Sequence, residues 1–139
     1  MSLVGQIEYV NFEPQKHLSG VLALCEAEGW SSWGHPDRAR GALEAPGVTT
    51  VVAAREGGVI GFVQMQSDGV LQAHLSYLAV DRRFRKQGTG RRLVEEAFLR
   101  CGAERVDLIS TTGVEGFYES FPHKARSGFR IYPARQEVR

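Results

Sequence analysis

The stretch Arg85-Lys86-Gln87-Gly88-Thr89-Gly90 sets two glycines one residue apart at the point where a helical apolar pattern begins. Glycine lets a backbone turn tightly and bring its N–H groups against a ligand, and a following helix adds a partial positive charge of about +0.5 at its N-terminus. Such a loop binds phosphate. Six of the 17 Lys and Arg residues fall within the eleven positions from Arg82 to Arg92, with no acid among them. Elsewhere, Tyr118 offers a phenol and His74 an imidazole, groups able to give or take a proton. Trp30 and Trp33 bracket Ser31-Ser32 and offer large rings with polar edges.

Two phosphate loops can be tested against the letters. A Walker loop needs Gly-x-x-x-x-Gly-Lys-Ser/Thr, whereas Gly90 is followed by Arg91-Arg92. A dinucleotide fingerprint needs a third glycine where Leu93 stands. Both fail.

The surrounding pattern says what must position these residues. Ile7 to Phe12 reads as a strand. After Pro14, the spacing of Leu18, Val21, Leu22 and Cys25 predicts an amphipathic helix that ends near Gly29. A short helix follows from Pro36-Asp37 and stops before Pro46-Gly47. Val48 to Arg55, Val59 to Gln66 and Val70 to Val80 are joined by short glycine-containing turns and form an antiparallel meander. From Thr89 to Arg100 the period becomes helical, with Gly102 as the stop. Val106 to Ser110 reads as a strand, Val114 to Phe121 as a short helix and Phe129 to Tyr132 as a last strand. The segment from Val70 to Ser110 is where a parallel pair is expected. In an ideal strand, His74, Ser76, Leu78 and Val80 share one face, and Leu75, Tyr77 and Ala79 share the other. No linker, repeat or low-complexity run divides the chain, so a single domain over residues 1–139 is expected.

The loop matches the pyrophosphate signature of the GNAT acetyltransferases, Arg/Gln-x-x-Gly-x-Gly/Ala. Leu78-Ala79-Val80-Asp81-Arg82-Arg83-Phe84-Arg85 resembles that family's fourth strand and its exit, Leu93 falls at an apolar position of its helix, and Gly116-Phe117-Tyr118-Glu119 is similar to its Phe-Tyr-Glu segment. The order of elements fits from about Ile7 to Tyr132, with the closest similarity between residues 75 and 130. One departure stands out: where the family's Gly-Phe pair usually follows that segment by two residues, Pro122-His123 stands here and Gly128-Phe129 arrives late, so either Pro122-His123 replaces the usual pair or the connection is longer.

The resemblance implies an α/β fold with a mixed, mostly antiparallel central sheet, splayed at a parallel pair between strands 4 and 5 and flanked by helices. It implies acetyl-CoA as cosubstrate in that splay. Backbone amides of Arg85, Lys86, Gln87, Gly88, Thr89 and Gly90 would hold the pyrophosphate, and backbone groups along Leu78, Ala79 and Val80 would pair with the pantetheine arm. It implies direct acetyl transfer to a primary amine, carried by a small molecule or a peptide, with Tyr118 as the acid for the leaving thiolate. For the base, His74 and an ordered water chain both stand. Trp30 and Trp33 either line the acceptor pocket or fill the core of their own loop. A non-catalytic acyl-CoA-binding regulatory module is the alternative reading.

Composition sets the outer limits. The 139 residues, 42% hydrophobic and 24% charged, describe one ordinary globular domain. A net charge of +1 argues against a dedicated nucleic-acid binder, yet it divides unevenly: residues 1–60 hold four Lys/Arg against seven Asp/Glu, and residues 61–139 hold thirteen against nine. No run approaches membrane-span length and no secretory signal opens the chain, so a cytoplasmic protein is expected. Cys25 and Cys101 lie far apart with no clustered histidine, which predicts buried thiols and no metal site. Dimers are common among proteins resembling this one, so a homodimer is a further expectation.

Overall fold

The computed structural model of the chain describes residues 6–134. β1 (Glu8–Asn11) leads into α1 (Pro14–Ala27), a 3₁₀ turn at Ser31–Trp33 and α2 (Pro36–Leu43). The meander follows as β2 (Val48–Arg55), β3 (Gly58–Ser67) and β4 (Gln72–Val80). A 3₁₀ turn at Arg82–Phe84, α3 (Thr89–Cys101), β5 (Arg105–Asp107) and α4 (Glu115–Glu119) complete the order. The five strands form one sheet in sequential order, antiparallel throughout except for the parallel pair β4–β5. This is the expected mixed α/β sheet flanked by helices.

β2 and β3 read as nearly continuous apolar runs because helices cover both sides of the sheet. On one face, Val52, Phe62 and Ala79 pack with Val21, Leu24 and Cys25 of α1, Trp33, and Ala39 and Leu43 of α2. Two buried polar side chains tie α2 to that face: Thr50 donates to the Leu43 carbonyl at 2.8 Å and Gln64 to the Ala42 carbonyl at 2.9 Å. On the other face, α3 packs across β2 and β3 with Leu93 and Ala97 fully buried. Both thiols are buried and unpaired. Burial pushes Cys25 up to about 12, with the Glu28 carboxylate adding to the effect, so it is a packing residue rather than a nucleophile.

Two compact units divide the chain, the first ending at Asp107 and the second beginning at Leu108. The second differs from expectation. The strand expected at Val106 to Ser110 is the three-residue β5, and the last strand expected at Phe129 to Tyr132 does not form among the described residues. Alternating apolar residues propose a strand, but only a hydrogen-bonded neighbour makes one. Here Phe129 and Ile131 stand 82% and 89% exposed.

Candidate functional site

An irregularity in β4 decides which residues meet. Leu75 pairs with Met65 and Tyr77 pairs with the adjacent Gln64, so Ser76 is an extra residue in the strand, a β-bulge. The expected faces are therefore wrong beyond Leu75. His74, Tyr77 and Ala79 share the α1–α2 face, opposite Gln66, Gln64 and Phe62, while Leu75, Leu78 and Val80 share the α3 face, opposite Met65, Val63 and Gly61. A bulge adds one residue to a period of two, which reverses every later side chain. Ser76 itself accepts a hydrogen bond from Gln66 Nε2 at 2.8 Å.

The same strand is paired on its far side only at its beginning. β5 meets β4 at Gln72, Ala73 and His74, and the ladder stops there. From Leu75 to Val80, a stretch that includes Leu78, Ala79 and Val80, no described strand pairs on that edge, and the Val80 carbonyl accepts from Arg85 Nε at 3.0 Å. His74 sits at the mouth of the splay, exposed, opposite Gln66 on one side and Asp107 on the other.

At the end of β4 the chain turns sharply into the glycine loop. Asp81 organises the turn by accepting from the Arg83 amide at 2.9 Å and the Arg83 guanidinium at 3.1 Å, which holds its carboxyl below the usual range. Lys86 has φ 61° and Gly88 φ 87°. Two left-handed residues this close make the backbone a concave nest of the kind that receives anions. Gly88 is the N-cap of α3 and no side chain caps the helix, so the amides of its first turn are left for a ligand or water. A Cβ at Gly88 would meet nothing within 4 Å, so the cradle is open on that side. A pyrophosphate fits this donor set.

The basic run divides by partner. Arg83 pairs with Asp81, Arg85 with Glu28, Arg91 with Glu95 and Arg92 with Glu96. Arg82 and Lys86 carry no ion pair among the described residues, so their charges are the ones left for an anion. Half of this division was legible, because Glu95 and Glu96 stand at the i+4 positions of Arg91 and Arg92 on one helix. The 57-residue span between Arg85 and Glu28 left no signal.

Trp30 and Trp33 converge on Tyr77, a residue the sequence reading did not single out. The ring centroids lie 5.0 Å and 4.9 Å from that of Tyr77, and Trp33 also meets Phe62 edge-on at 6.0 Å. Trp33 is buried in the core and Trp30 and Tyr77 are half-buried. Trp33 thus fills core, and Trp30 and Tyr77 pack half-buried against it.

Tyr118 lies on α4 in the second unit, stacked edge-on against Phe117 with centroids 4.9 Å apart. Burial pushes its phenol above its ordinary value, which keeps it protonated and able to donate.

The sequence profile of the acetyltransferase (GNAT) domain matches residues 46–121. No curated protein matches the chain. Among solved structures, a Trypanosoma brucei acetyltransferase is 20% identical with a TM-score of 0.74, over 92% of this chain and 99% of its own. A GNAT-family acetyltransferase of Streptococcus pneumoniae is 23% identical with a TM-score of 0.73, over 94% of this chain and 98% of its own. An aminoglycoside N-acetyltransferase in complex with CoA is 17% identical with a TM-score of 0.73, over 94% and 96%. At these identities the likeness to solved structures is one of fold.

Proposed function

This chain belongs to the GNAT acetyltransferase family, and on that premise we propose that it transfers an acetyl group from acetyl-CoA directly to a primary amine. The observation that carries the reading is the uncapped, left-handed loop from Arg85 to Gly90 standing at the end of an open β4 edge. Backbone amides of the loop beyond Arg85 take the pyrophosphate, Arg82 and Lys86 supply charge, and backbone groups along Leu78, Ala79 and Val80, other than the Val80 carbonyl that Arg85 holds, receive the pantetheine arm as an added strand. A relative of the same fold is seen in complex with CoA.

In the transfer, the amine nitrogen forms a bond to the thioester carbonyl carbon, and the carbon–sulfur bond breaks. The amine loses a proton to His74 or to water held near it, and the thiolate takes one from Tyr118. A phenol that burial holds above its ordinary value is a weak acid for a thiol near ~8.5, consistent with a contribution of no more than about 10²-fold. Burial keeps the Tyr118 proton in place until it is needed. Trp30 and Tyr77 form one wall of the acceptor site, with the net negative charge of residues 1–60 favouring a cationic acceptor.

Calorimetric titration with acetyl-CoA tests the reading, and saturable binding below millimolar is expected. Absence of heat at millimolar ligand would overturn it. Binding without thiol release across a broad panel of primary amines would instead identify a non-catalytic acyl-CoA-binding module.

A further inference from the structure

The side chain of Arg85, the first residue of the loop signature, is directed to protein partners. Its Nε donates to the Val80 carbonyl at 3.0 Å, and its Nη2 donates to Glu28 Oε2 at 2.7 Å. Glu28 is the last residue of the α1 turn that carries Trp30. Gly29, at φ 77°, donates its amide to the Glu26 carbonyl at 3.0 Å, and Trp30 donates its own to the Cys25 carbonyl at 3.0 Å. That crossed pair is a Schellman motif, which fixes the backbone from Glu28 to Trp30 relative to the helix. Trp30 rests on Tyr77, and Tyr77 is three residues from Val80 on β4. The contacts therefore close a circuit: Val80, Arg85, Glu28, Trp30, Tyr77 and back along β4.

We infer that Arg85 is a positioning residue: through Glu28 it holds the Trp30 wall against the cofactor loop, so that occupancy of the loop is felt at the acceptor wall. This rests on the reading of the loop as the CoA site and of Trp30 as acceptor wall. The Arg85 amide closes the preceding 3₁₀ turn on the Arg82 carbonyl at 3.4 Å, while its guanidinium links two elements far apart in sequence. The bond to Glu28 is short and charge-assisted, and the side chains are 44% and 29% exposed. A pair this exposed supports an effect of about twofold, and an effect on geometry rather than on folding.

The two tryptophans make the test direct, because Trp33 is buried and fluorescence accessible to acrylamide comes from Trp30. In ligand-free protein, Glu28→Ala is expected to raise the quenching constant about twofold. Arg85→Met is expected to do the same, and the double variant to add nothing, since both break one link. Glu26→Ala, on the same turn and with no ion pair among the described residues, should leave quenching at the wild-type value. Wild-type quenching in Glu28→Ala, or additive effects in the double variant, would overturn the positioning role. CoA should then change the quenching of the wild type, while Glu28→Ala binds CoA with a calorimetric Kd within about twofold of wild type and shows no such change. A CoA response that survives in Glu28→Ala would overturn the coupling. Should wild-type protein give no heat with CoA, the cofactor reading falls, and the ligand-free quenching still decides the role of Arg85.

Discussion

Leu75 and Tyr77 lie on opposite faces of β4 although a single residue separates them. Ser76 is that residue, and the bulge it forms, rather than its chemistry, absorbs the extra position so that Tyr77 still meets Trp30 and Trp33. Ser76→Ala should lose only the bond from Gln66, about 1 kcal/mol or less at this exposed position. Deleting Ser76 should leave Leu75 opposite Met65 and Tyr77 opposite Gln64 in a ladder without the bulge, so both variants should unfold cooperatively. Comparison of the two melting curves checks this.

Tyr118→Phe keeps the ring that stacks on Phe117 and removes the proton. Thiol release from acetyl-CoA with an amine panel should slow by about 10²-fold with CoA affinity unchanged. Because burial raises the phenol, the alkaline limb of the wild-type rate should lie above pH ~10, and it should vanish in the variant. The stability that the neutral phenol contributes is full below pH ~10 and lost as pH rises through the raised folded value.

Gly88→Ala places a Cβ in open space but on a backbone at φ 87°. The strain is worth about 1–2 kcal/mol, and the loop should relieve it by leaving the left-handed region. CoA affinity should weaken by about tenfold or more, a cost of at least about 1.4 kcal/mol. Calorimetry together with a thermal melt separates the two effects.

Gly20→Ala sets helix propensity against packing. Alanine is favoured by about 1 kcal/mol in a helix interior, yet its Cβ would stand 2.6 Å from the Cβ of Val59 on β3. Overpacking costs about 1–3 kcal/mol, and a Cβ so near the backbone yields little. The variant should therefore melt below wild type.

His17 is 5% exposed and accepts the Glu13 amide on Nδ1 at 2.9 Å. Burial, with Lys16 adding and Glu13 opposing, lowers its pKa. The neutral ring is thus favoured by folding, and its contribution is full above pH ~6.5 and lost as pH falls through the lowered folded value. Melting temperature should drop from about pH 7 to about pH 5, and His17→Gln should melt lower but with a flatter pH dependence.

The elements that bury a stripe were legible because periodicity records burial: Val21 and Cys25 of α1 and Leu93, Val94 and Ala97 of α3 are buried as their spacing predicts. Turn chemistry located Gly88 and Gly102 at the ends of α3, both with positive φ. The bulge left no trace, since one extra residue in an apolar strand looks like an ordinary one, and so Tyr77 was missed and His74 was grouped with the wrong neighbours. The link from Arg85 to Glu28 was equally hidden, because an ion pair between distant residues is a product of the fold. Phe129 to Tyr132 shows the opposite limit, a strand-like pattern with no strand to join.

The open edge of β4 from Leu75 to Val80 has a consequence apart from catalysis. Unpaired strand edges are templates for a second chain, and most proteins blunt them with charge, proline or a covering element. None of the six residues from Leu75 to Val80 is charged or proline. A pantetheine arm lying along this row would act as a removable edge guard, so the amides that recognise the thioester substrate would also govern self-association.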